Sequence, residues 1–273
     1  MKIIFDIGCN EGQNFEYYLK KADVVIGIDG DESLINRNKK KFKSYINKKK
    51  LFLENIALSN SKNYSNFYIH KYKNVLSQLK KPKNIHDYKV VKIKNTTCST
   101  LIKKYLKKFN IKKIELIKID VENSSEEVLN DLIKNKIFSN YLSVEAHDSQ
   151  ILYLLLKSPY KSFKILNGND IGTKIKNLKI KTKNISTYNL FQKHSAGPYG
   201  DDIPGKYYNK LSLLNFFINN GFGWIDISCS IKSSKNYKIV EYKKEIHNPR
   251  FREKLKQLIN DVIIILKKKF KLF

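Results

Sequence analysis

The sequence predicts an α/β protein with a doubly wound, mostly parallel sheet and helices on both faces. Three observations carry that expectation. Strongly apolar runs suited to strands buried on both faces recur at 3–7, 24–29 and 114–119. Each brings a carboxylate to its end, at Asp6, Asp29 and Asp120. Segments with helical spacing separate the runs, which is the alternation of βαβ units.

The elements follow in order. After the first strand, Gly8 and Gly12 bracket a turn, and Phe15, Tyr18 and Leu19 give 13–20 a helical face. The second strand, 24–29, ends in Asp29-Gly30. Ser33 is expected to cap a helix over 33–42. Residues 51–58 form a third strand candidate, and the lysine-rich stretch 63–94, with strand-like pieces at 66–70 and 89–94, reads as an insertion. Thr97 or Ser99 caps a helix over 100–109, and the next strand runs from Ile114 toward Glu122. Ser124 or Ser125 caps the following helix, whose first turn holds Glu126 and Glu127 where the helix dipole favours acids. A fifth strand, 141–145, leads to His147, and a last helix is expected over 207–219. The topology sets Asp6, Asp29, Asp120, Glu122, Glu145 and His147 on one rim of the sheet.

The first turn indicates the ligand. A dinucleotide-binding turn has G-x-G-x-x-G, whereas this chain has Gly8-Cys9-Asn10-Glu11-Gly12. An acid within the turn, Glu11, disfavours a pyrophosphate and tolerates a zwitterion. S-adenosylmethionine has no phosphate, and Asp29 stands where an acid meets the hydroxyls of an adenosine ribose.

The formal net charge of +28 raises the question of nucleic acid, yet only Arg37, Arg250 and Arg252 of the 53 basic residues are arginine. Readers of phosphates and base edges favour arginine forks. Lysines spread along the chain read as a solvated surface, so nucleic acid is not the expected partner. Three separated cysteines, Cys9, Cys98 and Cys229, indicate neither a disulfide framework nor a zinc knuckle. The strand starting at residue 2 leaves no room for a signal peptide, so a cytoplasmic protein is expected. One domain is expected over 1–248, and a basic amphipathic helix over 249–273 either packs on it or makes peripheral membrane contact.

The segments 5–13, 55–59, 116–122 with 127–129, and 143–145 resemble, in order, the FkbM-type family of S-adenosylmethionine-dependent O-methyltransferases. The resemblance implies a Rossmann-like sheet whose last strand is antiparallel. It places Asp6, Gly8, Cys9, Asn10, Gly12 and Gln13 around the methionine part of the cofactor, Asp29 and Gly30 at the ribose, and Ala57 and Leu58 beside the adenine. Asp120 belongs to the same set. Where the family has Glu-Gly, this chain has Glu122-Asn123, and asparagine accepts the left-handed turn. Members resembling this chain methylate hydroxyls of glycans or polyketides, so a carbohydrate or polyol acceptor is expected.

A hydroxyl is a poor nucleophile until deprotonated, which calls for a base near the rim. His147 is the first candidate and His194 the second, with Asp120 and Glu145 as catalytic partners. The Gly- and Pro-rich loop 191–206 reads as an acceptor loop, with Tyr199 stacking on a sugar ring and Asp201, Asp202 and Glu122 binding hydroxyls. Asp120, Glu122 and Glu145 also offer oxygens to a divalent ion, but without a histidine pair a metal-free site is expected. A nucleic-acid methyltransferase and a non-catalytic sugar- or membrane-binding protein are the alternatives.

Overall fold

The computed structural model describes residues 1–60, 63–175, 191 and 195–241. Its main sheet has seven strands: β1 (Ile3–Ile7), β2 (Val24–Asp29), β3 (Leu51–Asn55), β7 (Ile114–Ile119), β8 (Ser139–Glu145), β9 (Ser162–Asn167) and β10 (Ile225–Ser230). Their order is β3-β2-β1-β7-β8-β10-β9, and β10 runs antiparallel to both of its neighbours. The order reverses between β1 and β7, which opens a crevice at the carboxyl ends of those strands.

Every residue of β1 and β7 is buried, including Asp6, Glu115 and Lys118 among the apolar residues that dominate both runs. Ile3, Phe5 and Ile7 enter one hydrophobic cluster and Ile4 enters a second, so the alternating faces of β1 feed both layers. Burying each such side chain stabilises the fold by about 1.5–3 kcal/mol.

The helices are α1 (Phe15–Lys21), α2 (Glu32–Lys41), α3 (Lys43–Asn47), α4 (Cys98–Lys108), α5 (Ser125–Lys134), α6 (Ser149–Lys157), the short α7 (Gly168–Ile171) and α8 (Lys210–Asn220). Asp31, not Ser33, caps α2: its carboxylate accepts the Ser33 N–H at 2.8 Å. Thr97 caps α4 by accepting from the Thr100 N–H. Ser124 occupies the N-cap of α5 without a side-chain cap bond, and Ser125 Oγ instead donates to the Val121 carbonyl at 3.0 Å.

The third strand candidate divides. β3 ends at Asn55, and β4 (Ala57–Leu58) pairs with a small second sheet in the order β4-β6-β5. Its other strands, β5 (Tyr64–His70) and β6 (Tyr88–Thr96), form the body of the stretch read as an insertion. The chain between them carries two turns of 3₁₀ helix, at Asn74–Leu76 and Ile85–Asp87. The expected helix over 249–273 lies outside the described residues. Among the described residues, no helix is long and apolar enough to cross a membrane.

Candidate functional site

A cleft of about 380 Å³ opens over the carboxyl ends of β1, β2, β7 and β8, within the usual size of a small-ligand site. Its floor is the turn after β1. The Gly8 and Cys9 N–H groups donate to the Ile28 carbonyl at 2.9 and 3.0 Å, tying the turn to β2. Gly8 has φ 78°, and a Cβ there would lie 1.8 Å from the Asp120 carbonyl oxygen. Only glycine meets both demands. Gly8, Asn10 and Gln13 line the cleft.

Cys9 and Gly12 are buried behind that lining and shape the turn from beneath. A Cβ at Gly12 would meet the Phe15 ring at 2.6 Å. Asp6 is 0% exposed and lies below the cleft, 3.4 Å from Lys118 Nζ. These three expected cofactor contacts therefore belong to the supporting layer, because the strand pleat turns Asp6 and the tight turn folds Cys9 and Gly12 away from the opening. Glu11 is exposed and pairs with Arg37 at 3.3 Å, so it also faces outward.

Asp29 lines the cleft at the end of β2. Its carboxylate accepts the Asn10 N–H at 2.8 Å and the Asp31 N–H at 2.9 Å, which fixes its orientation. Burial pushes its pKa up to about 6, against the pull of those two N–H donors. Gly30, Ala57 and Leu58 line the same end. Phe67 of β5 packs on Gly30, where a Cβ would fall 2.7 Å from the ring. With Leu79 it supplies apolar cover from the segment read as an insertion. Asn74 closes over the turn by donating to Asn10 Oδ1 at 2.9 Å.

Lys118 was hidden among the many lysines, yet it is buried and central. Its Nζ lies 3.0 Å from Asp120 and donates to the Gly8 carbonyl at 2.9 Å. Burial disfavours its charge, but Asp120 and Asp6 more than offset this and raise its pKa. Burial likewise works against the Asp120 carboxylate, and Lys118 outweighs it, holding Asp120 below the usual range.

The opposite end of the cleft gathers Glu122, Glu145 and His147. His147 Nε2 is 2.9 Å from Glu145 Oε2, and this contact raises the histidine pKa to about 9. Glu122 is raised to about 7 by burial and by the neighbouring Glu145. One ligand atom from each of the three residues falls within a 4.8 Å span, a grouping wide enough for a divalent cation. Asn123 has φ 58°, so the left-handed turn expected of it forms. Trp224 and Asp226, which sequence reasoning passed over, complete this end.

The loop expected to hold the acceptor does something else. Tyr199 is 3% exposed, packed edge-on against Tyr17 at 5.6 Å and tilted on Tyr141 at 5.3 Å. Asp202 accepts from Tyr17 and Lys21 of α1. Asp201 accepts from Tyr141 of β8 and from Tyr207. Tyr199, Asp201 and Asp202 thus clasp α1 to the sheet, and none lines the cleft. Ser195 and Ala196 do line it, held by the Ala196 N–H donating to Asn14 Oδ1 at 3.0 Å. His194 lies outside the described residues.

Sheet order, antiparallel β10 and the acid at the end of β2 define a Rossmann-like methyltransferase of the S-adenosylmethionine-dependent class. The family model described as the methyltransferase FkbM domain matches residues 6–155, more than half of the 273 residues. The chain belongs to the FkbM methyltransferase family. No curated protein matches the sequence.

Solved structures similar to this chain include a dimethyladenosine transferase from Plasmodium falciparum, at 13% identity and TM-score 0.34, covering 61% of this chain and 49% of that one. An uncharacterized protein from Listeria monocytogenes serotype 4b has 10% identity and TM-score 0.36, covering 97% and 80%. Haemonchus contortus phosphoethanolamine N-methyltransferase 1 has 11% identity and TM-score 0.32, covering 99% and 44%. This chain thus spans about half the length of the Plasmodium protein. Likenesses this distant carry no argument about activity.

Proposed function

We propose that this protein is an O-methyltransferase acting on a hydroxyl of a carbohydrate or related polyol. The observation that carries the reading is the Glu145–His147 pair, 2.9 Å apart, in the same cleft as Asp29. S-adenosylmethionine, when bound, supplies a methyl group on a sulfonium. Asp29 accepts from the ribose hydroxyls, and the bend from Gly8 to Asn10 supports the amino-acid arm.

His147 holds Glu145 through Nε2, which leaves Nδ1 to receive the acceptor proton. As the O–CH3 bond forms and the S–CH3 bond breaks, that proton passes to Nδ1. Glu145 then balances the imidazolium. Glu122 orients neighbouring hydroxyls by accepting from them. Much of the rate comes from holding the oxygen in line with the S–CH3 bond.

The test is methyl transfer from labelled cofactor into surface polysaccharide extracts by the native chain and by His147→Ala. The expected result is transfer lost in the variant while S-adenosylhomocysteine still binds. Label entering RNA and no glycan would overturn the acceptor class.

A further inference from the structure

The acceptor end of the cleft has a wall that the proposed chemistry does not use. Asp226 pairs with Glu145 across β10 and β8, so their side chains share one face of the sheet. Trp224, just before β10, and His147, just after β8, each lie two residues beyond that pair, and all four line the cleft.

Two features indicate a built subsite. The Gly168 N–H donates to the Trp224 carbonyl at 2.9 Å, and a Cβ on residue 168 would fall 2.3 Å from the indole. Residue 168 must be glycine for the ring to occupy its place. Asp226 is 5% exposed; its backbone pairs with β8 and β9, while its carboxyl group has no hydrogen bond or ion pair among the described residues. A buried carboxyl group left in that state costs free energy that a ligand hydroxyl would offset.

An indole presents a broad, rigid apolar face, which suits the C–H face of a sugar ring. Carboxyl oxygens suit the hydroxyls on the ring edge. A nucleobase also stacks on indole, but its phosphates would meet Asp120, Glu122 and Glu145 on the same walls. The wall therefore favours a neutral sugar.

Resting on the O-methyltransferase reading, we propose that Trp224, seated on Gly168, and Asp226 form the acceptor subsite for a neutral pyranose. The indole stacks on the ring, and Asp226 bonds a hydroxyl beside the one that His147 deprotonates.

Trp224 is the single tryptophan of the chain, so its emission reports on this wall directly. The full chain, saturated with S-adenosylhomocysteine, is titrated with a panel of methyl pyranosides and separately with AMP, following emission. The same pyranosides are followed by ligand-observed NMR and as methyl acceptors. The expected result is a saturable emission change with at least one pyranoside. Asp226→Asn and Gly168→Ala should each weaken it by roughly tenfold or more, with S-adenosylhomocysteine affinity kept.

A pyranoside that binds by NMR and is methylated, yet leaves emission unmoved and keeps its KM in Trp224→Ala, overturns the subsite and spares the reaction. An emission change with AMP, and neither binding nor methylation of any pyranoside, overturns the subsite and the carbohydrate reading together.

Discussion

The backbones of Gly8 and Asp120 meet directly: a Cβ on residue 8 would lie 1.8 Å from the Asp120 carbonyl oxygen. This contact locks the turn after β1 to the end of β7 and sets the floor of the cleft. Gly8→Ala forces both a left-handed alanine and a backbone clash. The variant should lose about 2 kcal/mol or more of stability and most S-adenosylhomocysteine affinity, measured by denaturant unfolding and calorimetry. A variant with native affinity would show that the turn does not shape the cleft.

Lys118 is the keystone beneath that floor, held between Asp6, Asp120 and the Gly8 carbonyl. Lys118→Met strands two carboxyl groups, one of them fully buried, and should destabilise the fold by about 3–5 kcal/mol. Combining it with Asp6→Asn should recover part of the loss, because one orphaned acid is removed with the cation. Chemical denaturation of the single and double variants measures the coupling; strict additivity would mean that the two residues act independently.

The Glu145–His147 contact has a pH signature. The histidine pKa in the folded chain is raised to about 9, from 6.5 when unfolded. Its contribution to stability is therefore fully present below pH 6.5 and disappears as pH rises through about 9. The catalysis proposed for His147 runs the other way, since only the neutral imidazole takes a proton. In the free enzyme kcat/KM should climb with pH toward about 9, and His147→Ala should abolish that limb. An unchanged profile in the variant would assign the base elsewhere.

Tyr199 gives a prediction opposite to its expected role. Its hydroxyl is buried without a hydrogen-bond partner among the described residues. Tyr199→Phe should be neutral or slightly stabilising, with acceptor KM unchanged. Asp202→Ala should lower the melting temperature, because it releases Tyr17 and Lys21. A large rise in acceptor KM for a folded Tyr199→Leu, which removes the ring, would restore the stacking role.

These residues also show what a sequence exposes. β1, β2 and β7 were legible because apolar residues dominate strands buried on both faces, and the acids at the ends of these strands and of β8 marked one rim. Phe67 was not legible, since β5 is largely polar, its partner β6 carries lysines, and the single residue that covers Gly30 breaks no pattern. Lys118 left a signal that was missed: a lysine flanked by Ile117 and Ile119 in a buried run needs acids around it. β10 was hidden because Asp226, Ser228 and Ser230 alternate with apolar residues as in a half-exposed strand, although all six residues are buried. Tyr199, Asp201 and Asp202 looked like a ligand loop because aromatic and acidic residues among glycines serve a clasp equally well.

The central claim is that Asp29 holds an adenosine diol in this cleft, and calorimetry with S-adenosylhomocysteine on the native chain and on Asp29→Ala tests it most directly. A hydrogen-bonded carboxylate contributes about 1.5–3 kcal/mol, so affinity should fall by roughly ten- to a hundredfold, with melting showing the variant folded. Equal affinity in a folded Asp29→Ala, or no binding by the native chain, would contradict the account.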